Sequence, residues 1–187
     1  MRSEALEAFT LGGIEQYVLL RGDARKGRVI LYLHGGPGMP VLPLADRIGA
    51  TTTLEQRGVV AYWEQRGTGV TLRSGGSDAA MTIDRYVDDA IALALALKQR
   101  YGVSRVDLFA HSWGTVIGTR ALLRRPDLFG SYMAAGQVVD FAKGEELGYR
   151  FALEEARRRG ETRALRALDR IGPRPGTPAR RCRSGAS

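Results

Sequence analysis

Three short apolar runs in the sequence each end at a glycine-rich segment. The runs span 28–33, 58–63 and 106–110. Nearly continuous apolar runs of this length are typical of strands that are buried on both faces of a mainly parallel sheet. Because ligands bind at the carboxyl ends of the strands in such sheets, the pattern predicts that the three glycine-rich segments meet at one edge.

Helical patterns alternate with these runs along the chain. A glycine pair at 12–13, between two β-rich runs, predicts a hairpin over 8–20. The other predicted elements are a helix near 42–50, a helix after the N-cap Thr82 to about 97, a helix over 112–125, a strand over 131–136, and helices over 141–159 and 161–171. The alternation predicts an α/β fold, with a mostly parallel sheet and helices on both faces.

The predicted domain organisation follows from these elements. Residues 1–140 hold the six strands, 141–172 begin a helical region, and 173–187 form a tail of Pro, Gly, Arg and Ser with almost no apolar content. A segment of that composition buries too little apolar surface to fold, so we expect the tail to be disordered.

Charge and composition exclude several classes of function. The formal net charge is +8, but four arginines lie in the last fifteen residues, which contain no acid, so the rest of the chain carries +4. No nucleic-acid motif accompanies that charge, and we expect no nucleic-acid partner. A lone cysteine, Cys182, rules out an intrachain disulfide and a thiolate metal site.

Nothing in the sequence points to a membrane. The longest purely apolar stretch, near 90–97, is far shorter than the roughly eighteen residues that a bilayer requires. The N-terminal segment carries Glu4 and Glu7 where a secretory signal needs a basic start and an apolar block. We therefore expect a cytoplasmic protein with no membrane partner.

The most specific motif is Ala-His-Ser-Trp-Gly at 110–114, between a predicted buried strand and a predicted helix. This is the context of a nucleophile elbow, in which a serine sits in a strained turn with its hydroxyl raised above the sheet edge. Ser112 is therefore the predicted catalytic nucleophile. Gly114 allows strand and helix to approach closely, and Ala110 replaces a second glycine with one extra methyl. The alternative is a serine that merely caps a helix.

His-Gly-Gly-Pro-Gly at 34–38 follows the third predicted strand. An acyl-transfer hydrolase places part of its oxyanion hole there, because glycines let a backbone N–H point at the developing negative charge. The predicted oxyanion hole pairs the N–H of Trp113 with that of Gly36 or Gly35. The hole stabilises charge that a metal would otherwise stabilise, so no metal or organic cofactor is predicted.

With Glu-Gln-Arg-Gly-Thr-Gly at 64–69, these motifs resemble the proline iminopeptidase branch of the α/β-hydrolases over about residues 5–172. That branch carries His-Gly-Gly-Pro-Gly, Asp-Gln-Arg-Gly-x-Gly-x-Ser and Gly-x-Ser-Trp-Gly in this order. Glu64 replaces the Asp and Thr71 the final Ser, so a general hydrolase of the branch and a prolyl peptidase both stay open. Arg66 is interpreted as a loop-organising residue in a structural ion pair.

The resemblance also implies a histidine base, oriented by an Asp, which follows two further strands. The sequence has only two histidines. His34 belongs to the Gly-Pro turn, and His111 adjoins the nucleophile, where successive side chains diverge. Asp140 follows the sixth strand but has no base to orient. We therefore expect a chain cut short before the catalytic Asp and His, by a frameshift or a premature end.

Two hypotheses follow. The first is a serine hydrolase that cleaves an amide or ester of a small molecule or short peptide through an acyl-enzyme, with helices from 141 onward shaping substrate entry. The second is an inactive fragment that retains a binding cleft. Hydrolases of this fold that use Asp as nucleophile, including many epoxide hydrolases, are excluded by Ser112. The sixth strand is expected to form an exposed sheet edge, which favours self-association.

Overall fold

The computed structural model of the chain describes residues 3–75 and 81–173. Its strands are β1 (Ser3–Leu11), β2 (Ile14–Gly22), β3 (Val29–Leu33), β4 (Val59–Trp63), β5 (Val106–His111) and β6 (Phe129–Ala135). They form one sheet in the order β1-β2-β4-β3-β5-β6. The β1–β2 and β2–β4 pairs are antiparallel, whereas β4–β3, β3–β5 and β5–β6 are parallel. The predicted mostly parallel sheet is confirmed.

The N-terminal hairpin forms at the predicted glycine pair. Gly12 and Gly13 have φ values of 54° and 84°, and Leu11 pairs with Ile14 across the turn. Positive φ at both central residues matches the right-handed twist of the flanking strands, which explains why two glycines are needed here. Both strands run longer than predicted, because β2 also pairs with β4.

Six α-helices and three single-turn 3₁₀ helices (Ala24–Lys26, Leu42–Leu44 and Leu54–Gln56) complete the described part of the chain. The α-helices are α1 (Ala45–Thr52), α2 (Gly69–Arg73), α3 (Ile83–Tyr101), α4 (Trp113–Arg124), α5 (Phe141–Arg158) and α6 (Thr162–Ile171). The hydroxyl of Thr82 accepts a hydrogen bond from the N–H of Arg85, so the predicted cap of α3 is confirmed. Two details differ from the prediction. Helix α4 begins at Trp113 and not at Ser112, and the five-residue α2 is too short to produce a detectable period.

The two central strands, β3 and β4, are buried on both faces. Along β3 and β4 every residue is buried. Alternate side chains enter two different cores: Leu31 and Ala61 pack with α3 and α4 on one face, and Tyr32 and Tyr62 pack with α1 on the other. The predicted helices on both faces are therefore confirmed, and this packing explains why the apolar runs are continuous and not alternating.

Strand β6 lies at one end of the sheet. Among the described residues it pairs with β5 alone, and Met133 and Ala134 are exposed. An edge strand presents unpaired backbone groups on its outer side. The position of β6 agrees with the predicted edge, and self-association through it stays a prediction.

The chain divides into two compact units between Val138 and Val139. The first unit contains the sheet and α1 to α4. The second contains α5 and α6, which the hydroxyl of Tyr149 links by donating to the carbonyl of Leu168 at 3.2 Å. The predicted boundary after 140 and the role of 141–172 stay predictions, and the predicted tail lies outside the described residues except for Pro173. No helix in the described ranges is long and apolar enough to cross a membrane.

Candidate active site

Ser112 occupies the turn between β5 and α4. Its backbone has φ 50° and ψ −116°, a conformation that non-glycine residues rarely adopt and that costs of order 1–3 kcal/mol. Its N–H donates to the carbonyl of Ala135 at 2.9 Å, and its carbonyl accepts from the N–H of Thr115 at 2.9 Å. The side chain makes no capping hydrogen bond. A simple helix-capping serine is therefore excluded, and the strained turn is as the motif predicted.

The residues on either side of Ser112 explain how strand and helix come so close. A Cβ on Gly114 would lie 2.1 Å from the carbonyl oxygen of Leu33, so a side chain there would collide with the backbone of β3. The extra methyl of Ala110 lies beside Gly118 of α4, where an added Cβ would stand 3.5 Å from it, an ordinary contact distance. The structure therefore accommodates Ala110 in place of the usual glycine.

The loop after β3 lies beside Ser112. A Cβ built on Gly35 would lie 3.4 Å from the Cβ of Ser112 and 2.9 Å from Nδ1 of His111. Gly36 has φ 127°, a backbone conformation that favours glycine, and the Gly36–Pro37 peptide is cis. The structure therefore brings together Ser112 and the turn that was predicted to face it, although 76 residues of chain separate Gly36 from Ser112.

The imidazole of His34 is buried, and each of its ring nitrogens has a hydrogen-bond partner. It is 0% exposed, its Nδ1 lies 2.7 Å from the carbonyl oxygen of Gly35, and its Nε2 accepts from the N–H of Gln65 at 3.4 Å. These partners require the neutral imidazole with its proton on Nδ1. Burial lowers the pKa of His34 to about 4, against the ordinary 6.5. His34 therefore orders the glycine loop and cannot take a proton from Ser112.

His111 lies at the exposed end of β5, directly before Ser112. Among the described residues, the Ser112 hydroxyl makes no hydrogen bond to either imidazole. Asp140, the other residue considered for catalysis, caps α5 by accepting from the N–H of Lys143 at 2.9 Å. Over the described residues, the arrangement thus presents a candidate nucleophile and candidate oxyanion donors, and neither imidazole hydrogen-bonds to the serine hydroxyl.

The loop after β4 carries a buried carboxylate. Glu64 is 1% exposed, and its two carboxylate oxygens accept from the N–H groups of Leu42 and Val70. The hydroxyl of Thr71 donates to the carbonyl of Glu64 at 2.7 Å and accepts from the N–H of Tyr17 at 3.0 Å. Glu64 and Thr71, which depart from the family motif, therefore serve to fold this loop onto α2 and β2.

Arg66 forms the structural ion pair that its motif suggested. Its guanidinium donates to both carboxylate oxygens of Asp89 at 2.7 and 3.0 Å, and both side chains are 0% exposed. Gln16 donates to the same carboxylate at 2.7 Å and accepts from the indole N–H of Trp63 at 3.0 Å. Asp89 was not predicted from the sequence. The available signal was a charged residue on the apolar face of α3, where only a paired charge is tolerated.

Gln65, between Glu64 and Arg66, contacts both of the other motifs. Its backbone N–H donates to His34, and its side-chain oxygen accepts from the indole N–H of Trp113 at 3.2 Å. The ring of Tyr86 packs edge-on against Trp113, with the ring centroids 5.6 Å apart. Three loops that follow β3, β4 and β5 are therefore joined at one end of the sheet, as the positions of the glycine-rich segments predicted.

A mostly parallel sheet with a strained serine between an interior strand and the next helix defines the α/β-hydrolase fold. Residues 47–156 match the family model of the serine aminopeptidases, S33. The chain belongs to this family, and the predicted proline iminopeptidase-like assignment is confirmed.

Two curated relatives support the assignment. The probable aminopeptidase YbaC of Bacillus subtilis is 32% identical over 149 residues, which are 80% of this chain and 46% of that protein. A proline iminopeptidase of Heyndrickxia coagulans is 29% identical over 100 residues, which are 54% of this chain and 32% of that protein. The chain thus spans less than half the length of these relatives.

Solved structures show the same fold. A proline iminopeptidase-related protein of Thermus thermophilus superposes with a TM-score of 0.63 at 30% identity, covering 87% of this chain and 59% of that one. The epoxide hydrolase VrEH1 of Vigna radiata superposes with a TM-score of 0.52 at 27% identity, covering 70% of this chain and 39% of that one.

Proposed function

We propose that this chain carries the nucleophile and the oxyanion hole of a serine hydrolase that cleaves an amide or ester. The observation that carries the proposal is the strained backbone of Ser112, next to the turn at Gly35. A strained serine at the carboxyl end of an interior strand is costly, and strain of this kind persists where it positions a reacting group.

In the proposed reaction, Oγ of Ser112 forms a bond to the substrate's carbonyl carbon and loses its proton to a base. The carbonyl oxygen becomes an oxyanion, which the N–H of Trp113 and that of Gly36 or Gly35 stabilise, each by about 3 kcal/mol. Collapse of this intermediate expels the amine or alcohol, which takes up the proton, and leaves an acyl-enzyme. Water then releases the acyl group by the same steps.

Neither imidazole of the sequence supplies the base. Both ring nitrogens of His34 are occupied, and His111 makes no hydrogen bond to Ser112 among the described residues. The reaction therefore depends on a base that residues 3–75 and 81–173 do not place beside the serine. Because Ser112 is partly exposed, a small base from solution can take that place.

The names of the relatives point to the substrate class. One is a probable aminopeptidase and another a proline iminopeptidase, so an amide at the N-terminus of a short peptide is the first substrate to test. Glu64 and Thr71 contact only the protein's own backbone among the described residues, so their departure from the motif argues neither for nor against prolyl substrates.

The test is labelling with a fluorophosphonate, in which Oγ displaces fluoride and becomes phosphonylated. We expect slow labelling of Ser112, located by peptide mass spectrometry, that accelerates with added imidazole. Ser112→Ala is the control and should show neither label nor acceleration. Labelling of Ser112 at the same rate as surface serines, with no effect of imidazole, would contradict the proposal.

A second candidate is binding without turnover, favoured because the Ser112 hydroxyl hydrogen-bonds to neither imidazole among the described residues. It predicts that a non-hydrolysable peptide ligand binds while fluorophosphonate fails to label, even with imidazole. The same labelling experiment therefore separates the two functions.

A further inference from the structure

We infer that Gln65 is a positioning residue, an inference that rests on the proposed function. It fixes the two segments of the oxyanion hole, the loop after β3 and the residue Trp113, relative to each other. Gln65 follows β4, whereas the two predicted oxyanion donors follow β3 and β5. Strand β3 lies between β4 and β5 in the sheet, so Gln65 reaches across one strand to contact Trp113.

One residue therefore connects two segments that are far apart in sequence. Through its backbone N–H, Gln65 fixes the imidazole of His34, whose Nδ1 lies 2.7 Å from the carbonyl oxygen of Gly35. Through its side-chain oxygen, it fixes the indole of Trp113. Gly35 begins the loop that supplies one donor, and Trp113 carries the other. A shift of Gln65 would thus move both.

The orientation of the Gln65 amide is determined by its partner. The indole nitrogen of Trp113 can only donate, so the oxygen of Gln65 must face it and the NH2 group must point elsewhere. That NH2 group is buried and has no hydrogen-bond partner among the described residues. A buried donor without an acceptor costs about 1–3 kcal/mol.

This cost separates a positioning role from a space-filling one. A methionine would fill nearly the same volume and remove the unsatisfied NH2 group, but it would take away the acceptor of the partly buried indole N–H of Trp113. If Gln65 served only to fill space in the core, the glutamine would be the poorer choice. Its contribution is instead the acceptor that it offers to Trp113, which orients the residue after the nucleophile.

The first test compares Gln65→Met with the parent chain in fluorophosphonate labelling under saturating imidazole. We expect the maximal labelling rate to fall about tenfold, part of the about hundredfold that loss of an entire oxyanion donor costs. The half-saturating probe concentration and the free energy of unfolding should change little, because substrate access and core packing are kept. Trp113→Phe should lower the rate similarly, and the double variant should lower it no further.

Gln16→Met is the matched control, because Gln16 is also a buried glutamine that accepts from an indole, that of Trp63. We expect this variant to lose stability, since Asp89 loses a hydrogen bond, while its maximal labelling rate stays near the parent's. Equal effects of the two substitutions on the labelling rate would overturn the positioning role.

A second readout does not depend on labelling. In a ¹H–¹⁵N spectrum of Gln65→Met, the indole and backbone amide resonances of Trp113 should shift, because the substitution removes the acceptor of its indole N–H, and the indole resonance of Trp63 should not shift. Unchanged Trp113 resonances together with an unchanged labelling rate would overturn the inference. If the parent chain does not label above Ser112→Ala, the proposed function fails, and these resonances alone decide whether the side chain of Gln65 orients Trp113.

Discussion

The guanidinium of Arg66 and the carboxylate of Asp89 form a two-point ion pair with no solvent exposure on either side. The pair joins the loop after β4 to α3, and Gln16 connects it to the N-terminal hairpin. The ion pair therefore anchors the loop that contains Gln65 to α3. Removing one member of such a pair leaves the other charge buried without compensation.

We predict that Asp89→Asn lowers the free energy of unfolding by about 3–5 kcal/mol, because it leaves the charge of Arg66 buried without a counter-charge. Urea unfolding followed by circular dichroism measures the change. Asp127→Asn, at the exposed Arg125–Asp127 pair, is the control and should leave the midpoint nearly unchanged. A similar, small effect of both substitutions would show that the buried pair is dispensable.

The hairpin turn gives a matched pair of glycine substitutions. Both Gly12 and Gly13 have positive φ, but a Cβ on Gly12 would lie 2.5 Å from atoms of Arg66 and Asp89, while one on Gly13 would meet nothing within 4 Å. Gly13→Ala should cost about 1 kcal/mol from backbone strain alone. Gly12→Ala should cost clearly more, because it also displaces the ion pair. Thermal melts measure the difference, and equal losses would contradict the clash.

The backbone strain at Ser112 predicts a gain of stability when the side chain is removed completely. Ser112→Gly relieves the strain but increases the entropy of the unfolded chain, and we expect a net stabilisation of about 1 kcal/mol. Ser112→Ala keeps a Cβ in the same conformation and should not stabilise. Chemical denaturation of both variants provides the measurement, and a gain in both or in neither would argue against stored strain.

His34 predicts a pH dependence of stability. Its pKa is about 4 in the fold and 6.5 when unperturbed, so its contribution is complete above pH 6.5 and is lost as the pH falls towards 4. We expect the loss to reach about 3 kcal/mol. His34→Gln should flatten this part of the stability profile relative to the parent. Identical slopes for parent and His34→Gln would contradict the prediction.

Because Gly35 lies close to the ring of His111, the effect of a substitution at Gly35 should depend on the side chain at position 111. A Cβ on Gly35 would lie 2.9 Å from Nδ1 of His111 but at an ordinary distance from Ser112. Gly35→Ala should therefore slow fluorophosphonate labelling in the parent, and much less so in a His111→Ala background, where the obstructing ring is absent. An equal slowing in both backgrounds would show that the loop itself is distorted.

Much of this architecture could be read from local patterns. The glycine pair specified the hairpin, Thr82 specified the start of α3, and the Ala-His-Ser-Trp-Gly segment specified a turn between strand and helix. The five-residue α2 escaped detection because one turn shows no periodicity. The helix after β5 was predicted to include Ser112, whose positive φ places it outside the helix.

The sequence by itself determined the local elements and the chemical types at the site, because backbone preferences and apolar periodicity act over a few residues. Tertiary structure alone decided that β3 would lie between β4 and β5, which brings Gly35, Gln65 and Ser112 together. It also decided that Asp89 would pair with Arg66, and that His34 would be buried with both nitrogens occupied. These outcomes depend on strand order and on desolvation, which arise only when distant segments exclude water from one another.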